Sequence, residues 1–260
     1  MSHTRLFLAW VFLFSVAAST TCGRRAEEPP ESSSVGPRPI AVDPSTVAEI
    51  RGVVRLEGAP PKRAVIQMDE DPVCVEEHKG QAVDAIDGAV NPDGTLPNVF
   101  VYVKKGAEPY AFPMPSQLVI LDQAGCMYEP HVLGIMTRQT LRILSHDPTT
   151  HNIHAMARIN PQWNLSQLPG APPIEKSFSQ PEIMIPVKCN QHPWMRCYIG
   201  VMSNPLFAVT GANGNFRLTG LPPGAYTIGA WTATFGTAQQ EVTVGPRETK
   251  SIEFTFRNQD

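Results

Sequence analysis

An all-β architecture of sandwiches or barrels is what the residue pattern predicts. Three observations predict it. The 260 residues include 26 prolines and 19 glycines, clustered between short apolar runs. Those runs alternate apolar and polar residues, the period of half-buried strands. No stretch sustains a helical period, so short strands joined by tight turns remain, the pattern of sandwiches and barrels.

The first element is an export signal over residues 1–22. Arg5 precedes the apolar run 6–14, and small residues follow from Ser15 to Thr21. The run is too short to span a bilayer comfortably. Cys22-Gly23 resembles a bacterial lipoprotein cleavage site, which would lipidate Cys22; plain secretion with cleavage near Ala17 stays open. Residues 23–46 are rich in Pro, Ser, Glu and Arg without apolar periodicity, and read as a disordered tether.

Residues 50–58 alternate as a strand, closed by Ala59-Pro60-Pro61, and 99–104 form a second. Between them, 69–92 is acidic and irregular, with one short helix near 73–80. Residues 106–116 are a Pro-rich connection. Strands follow at 118–121, 131–135 and 139–144, then an irregular stretch at 160–174, then strands at 174–178, 182–188 and 198–201. The C-terminal part reads as strands at 206–210, 215–219, 225–231, 238–244 and 250–256. Gly211-Ala212-Asn213-Gly214 and Leu221-Pro222-Pro223-Gly224 are its turns.

Net charge is −3, which gives no reason to expect nucleic acid or an anionic membrane surface as partner. Five cysteines in an exported chain leave at least one outside an intrachain disulfide. An oxidising compartment favours a Cys74–Cys126 bridge. The alternative is a second metal site from Cys74, His78, Cys126 and His131, a spacing that suits zinc or copper.

The most informative run is Cys189-Asn190-Gln191-His192-Pro193-Trp194-Met195, with a thiolate, an imidazole and a thioether three residues apart. Cys and His with a weak axial Met are blue-copper ligand types, and the set lacks one imidazole. His151-Asn152-Ile153-His154 can supply it. The three local ligands would share one loop between adjacent strands, and the fourth would come from a neighbouring strand end. Met is a poor zinc ligand, and no Cys-x-x-Cys-His is present for haem. A Cys189–Cys197 disulfide is the bland alternative, with His192 and Met195 incidental.

Residues 117–202 resemble the cupredoxins, and the short Cys-x-x-His-Pro-aromatic-Met-Arg loop is similar to that of the amicyanins. The resemblance implies one mononuclear type 1 copper held by His151, Cys189, His192 and Met195. It selects His151, because the ligand is the His followed directly by Asn. Asn152 would then brace the loop near the thiolate. His154 is the alternative ligand, but on an extended strand it points away from His151. His146 and His131 read as surface or turn residues. Trp194 reads as packing over the exposed ligand edge and limiting water, with simple hydrophobic cover as the alternative, Arg196 as a solvated residue able to help dock a partner, and Met156, Met184 and Met202 as packing. Cys197 so near the site has no assigned role.

Residues 214–228 resemble the carboxypeptidase regulatory-like family, small transthyretin-like β-sandwiches. Phe216, Leu218, Tyr226 and Ile228 would share one core. The Gly-x-Val start typical of that family occurs at Gly52-Val53-Val54, far upstream. The implied organisation is therefore a regulatory-like sandwich over 47–116 and 203–257, with the cupredoxin-like domain of 117–202 inserted in it; two consecutive sandwiches are the alternative. The resemblances together imply an exported, periplasmic or envelope copper protein that carries single electrons to a redox partner. A membrane would be met only through a lipid anchor. No acid–base or nucleophile arrangement points to an enzyme. A copper-holding or delivery module, and a non-metal structural or carbohydrate-binding protein, are the rival functions.

Overall fold

The computed structural model describes residues 38–258; the export signal, Cys22 and most of the tether lie outside them. Among the described residues the chain is almost entirely strand, with a single α-helix, Pro72–Glu77. No helix there is long and apolar enough to cross a membrane.

Two sheets enclose one core. The first has the order Phe207–Val209, Phe100–Lys105, Gly224–Thr232, Gly236–Val244. The second has Ala48–Glu57 at its centre, antiparallel to Asn215–Leu221 and parallel to Thr249–Arg257. The alternation that marks these strands in the sequence points Ile50, Val54, Leu56, Phe216, Leu218, Phe254 and Phe256 inward, against Val101, Val103, Tyr226 and Ile228.

Two further sheets enclose a second core. One orders Ile174–Lys176, Leu141–Ile143, Val119–Ala124 and Met127–Glu129. The other orders Trp163–Gln167, His151–Ala155, Glu182–Lys188, Arg196–Met202 and Val132–Met136. Leu121, Ile135, Ile143, Ile153, Val187 and Ile199 fill it.

The two sandwiches share a third, smaller cluster. Along Phe100–Lys105, Val101 and Val103 face the first core while Phe100 and Tyr102 turn to Val132, Met184 and Met202. This strand is buried on both faces because the second sandwich covers its outer one, so its run is continuously apolar. Met184 and Met202 thus serve packing between the sandwiches.

Three differences from the sequence expectation have physical causes. Trp163–Gln167 is a strand within the stretch read as irregular. It is an edge strand, with polar Asn164 and Ser166 on one face, and only pairing with His151–Ala155 makes it regular. Ile40–Ala41, inside the stretch read as tether, pairs in parallel with Tyr110–Ala111. The irregular segment near the helix does not pack on the sandwich that flanks it in sequence. Its Ile66, Met68, Cys74, Val75 and Val83 lie on the second core, where Cys74 is disulfide-bonded to Cys126.

Candidate metal centre

The centre lies at one end of the second sandwich, where two strand ends and one hairpin loop meet. Glu182–Lys188 and Arg196–Met202 are antiparallel neighbours, paired up to Lys188 with Arg196. The loop between them carries Cys189, His192 and Met195. It is closed by its own backbone: Cys189 N–H donates to Met195 O at 3.1 Å and Met195 N–H to His192 O at 2.9 Å. This turn brings the donor atoms of Cys189 and His192 together and leaves Met195 buried in the same core as Cys189. His151, first residue of the adjoining strand, enters from the side.

The donor atoms of His151, Cys189 and His192 all lie within 4.8 Å of one another, and all three residues are buried. The Nδ1 atoms of His151 and His192 face each other at 2.9 Å. Cys189 Sγ is 3.6 Å from His192 Nδ1. Met195 is fully buried in the same core as Cys189. A soft thiolate, two imidazoles and a nearby thioether suit copper in both common oxidation states.

The electrostatics push the two side chains in opposite senses for metal binding: Cys189 toward its thiolate, the ligand form, and His151 toward the protonated imidazole, which must lose a proton to bind. Burial alone would raise the Cys189 thiol, but a hydrogen bond with His151 and backbone N–H donors win and bring it down to about 6. Burial would lower His151, but Asp147 and Cys189 outweigh it and raise the imidazole to about 9. Cys197, on the neighbouring strand, has no such partner. Burial pushes its thiol up, so it remains a neutral packing residue. Cys189 is also a free thiol, and the two cysteines are not bridged.

Asn152 ties together the two segments that carry these side chains. Its backbone N–H donates to Cys189 Sγ at 3.5 Å, and its Oδ1 accepts from Asn190 N–H at 2.7 Å and from the Cys189 thiol at 3.3 Å. Its Nδ2 donates to Asn164 Oδ1 at 2.5 Å on the edge strand. His154 points to the other face and pairs with Asn190 Oδ1 at 3.3 Å. Trp194 leans on His192, ring centroids 5.2 Å apart, and its Nε1–H donates to Cys126 O. Arg196 is exposed at the rim.

The other histidines have separate partners. His78 Nε2 bonds Gly125 O, His131 Nε2 pairs with Asp87, and exposed His146 pairs with Asp122. With Cys74 and Cys126 joined, these residues do not form a second metal site here. Residues that sequence reasoning missed are Asp147, whose Oδ2 lies 2.7 Å from His151 Nε2, and Asp71, whose Oδ2 lies 2.8 Å from His192 Nε2. Neither stands in a motif.

Comparison with known proteins gives one family match and several partial structural likenesses. Residues 203–257 match the family model of the carboxypeptidase regulatory-like domain. That regulatory-like segment supplies most of the first sandwich, which Ala48–Glu57 and Phe100–Lys105 complete. No curated protein matches the chain. Similar solved structures include an oxidised amicyanin variant at 19% identity and TM-score 0.30, covering 35% of this chain and 89% of that one. A purple cupredoxin from Nitrosopumilus maritimus is 21% identical, with TM-score 0.28, over 32% of this chain and 99% of that one. A copper-containing nitrite reductase from Thermus scotoductus is 20% identical, with TM-score 0.31, over 35% of this chain; the match spans 24% of that enzyme.

Proposed function

We propose that this chain is an exported copper protein that carries single electrons in the cell envelope, with a redox protein as its partner and no catalytic activity of its own. One observation carries the reading: the convergence of His151 Nδ1, His192 Nδ1 and Cys189 Sγ, with Met195 buried in the same core as Cys189. His151, Cys189 and His192 would hold the ion and Met195 would be the weak axial ligand. Bound copper supplies a one-electron couple. The chain's part is to keep the donor geometry the same in both oxidation states, through the closed loop and the Asn152 brace, and to exclude water with Trp194.

We further infer that the copper-holding sandwich, 117–202 together with the segment 66–86 that packs on its core, is inserted in the regulatory-like one, which takes the rest of 47–116 and 203–257. The central place of Ala48–Glu57 between Asn215–Leu221 and Thr249–Arg257 supports this. The N-terminal sequence supports export, with a lipid anchor at Cys22 or plain secretion as its two forms.

The experiment is a copper(II) titration of the purified protein with visible and electron paramagnetic resonance spectra. An intense thiolate-to-copper band that Cys189→Ser abolishes is expected. Colourless protein that takes up no copper would overturn the reading. A copper-holding role uses the same ligands, and the 4% exposure of His192 speaks for retention of the ion. Reversible reduction without loss of metal separates electron transfer from delivery to an apo-acceptor.

A further inference from the structure

An imidazole that gives Nδ1 to a metal keeps a proton on Nε2. When the ring is buried, that N–H needs an acceptor, and the acceptor's charge and placement set the ring's orientation and donor strength. His151 is fully buried and His192 nearly so. Each meets a carboxylate at Nε2: Asp147 at 2.7 Å and Asp71 at 2.8 Å.

Both carboxylates are themselves held, each at one half of the same disulfide. Asp147 Oδ1 accepts from Gly125 N–H at 2.6 Å and Oδ2 from Cys126 N–H at 2.8 Å. Asp71 Oδ1 caps the short helix, accepting from Val73 N–H at 2.9 Å and Cys74 N–H at 3.4 Å. Cys74 and Cys126 are then bonded to each other. Asp71, Cys74 and His192 lie within donor-atom distances of 4.8 Å, as do Cys126, Asp147 and His151. The sulfurs are spent on each other, so neither half-cystine is a ligand. What they contribute is a rigid link between the two carboxylates behind the two imidazoles. Trp194 Nε1–H closes the frame on Cys126 O.

Asp147 belongs to the sandwich that holds the site. Asp71 does not: it lies 121 residues from His192, on a segment with little regular structure. Its position depends on the helix cap and the disulfide.

We propose that Asp71 and Asp147 are positioning residues, clamped by the Cys74–Cys126 disulfide, that hold both imidazoles with Nδ1 toward Cys189, so that copper affinity depends on a disulfide that supplies no ligand. The proposal rests on the copper reading above. Loss of such an outer partner lowers metal affinity by about 10–100-fold. Asp71→Asn, nearly isosteric and on a partly exposed segment, removes the charge and is the first variant. Cys74→Ala with Cys126→Ala removes the clamp and keeps both aspartates.

The affinities of the full chain and both variants for copper(I) are measured by competition with a colorimetric chelator. In parallel, nitrogen NMR of the copper(I)-loaded protein follows the imidazole Nε2–H signals. Wild type is expected to give two slowly exchanging Nε2–H protons. Asp71→Asn should shift the His192 signal alone and weaken binding by about 10–100-fold; the double cysteine variant should weaken binding and speed exchange at His192 more than at His151. Unchanged affinity and unchanged Nε2–H signals in Asp71→Asn would overturn the proposal while leaving the copper reading intact. Wild type that binds no copper would overturn the copper reading itself. Should the double cysteine variant not fold, Asp71→Asn decides.

Discussion

The ring of Phe100 lies directly against the backbone of Gly200, so closely that a Cβ built on Gly200 would overlap it. The contact joins a strand of the first sandwich to a strand of the second. Gly134, in register with Gly200 on the next strand, meets Phe100 and Phe207 in the same way. Two facing glycines thus make a bed for one aromatic ring.

Gly200→Ala should therefore destabilise the protein by about 1–3 kcal/mol, the usual cost of overpacking. Phe100→Ala should cost about 3–5 kcal/mol through the cavity it leaves. Chemical denaturation measures both. Equal stability of Gly200→Ala and wild type would mean the strands can part without penalty.

His151 and His154 share one strand and one residue type, but only His151 faces Cys189 and His192. His151→Ala should cost copper(II) affinity more than the roughly 10–100-fold typical of losing an outer partner. His154→Ala should leave affinity and spectrum unchanged. A competition titration of the two variants reads this directly, and the reverse order would reassign the ligand.

Asn152 accepts from Asn190 N–H and donates to Asn164 in addition to its contacts with the thiol. Asn152→Ala leaves those groups without partners, at a cost of about 1–3 kcal/mol. The ligand loop should loosen with it. A broadened copper resonance beside the lowered denaturation midpoint is the expected signature; loss of stability with an unaltered resonance would confine Asn152 to a structural role.

Asp87 contributes stability at neutral pH to the boundary between the sandwiches. Burial alone would raise its carboxyl, but hydrogen bonds from His131 at 2.8 Å and Tyr198 at 3.2 Å hold it below the usual carboxylate value. A lowered carboxyl contributes stability that is fully present above the unfolded value, about 3.9, and is lost as pH falls through the folded one. Wild type should thus be more stable than Asp87→Asn at neutral pH, and the gap should close below about pH 4. A constant gap across that range would sink the assignment.

Much of this was legible in the chain because its signals are local. The strands of the first sandwich alternate cleanly, and Phe100–Lys105 stands out through its apolar run. The edge strand Trp163–Gln167 carried no such signal, since its polar face meets solvent and its regularity is borrowed from its neighbour.

The ligand loop is a property of the sequence by itself. Cys189, His192 and Met195 are three residues apart, and a turn closed by its own backbone hydrogen bonds between two antiparallel strands keeps such positions on one short loop. The order of residues around His151-Asn152 marked it as the partner through family resemblance. The carboxylates behind the imidazoles were decided only by tertiary structure. Asp71 and Asp147 stand in no periodic pattern. A helix cap, a disulfide and the packing of a distant segment on the second core bring Asp71 across 121 residues to His192, and nothing short of the folded chain encodes that distance.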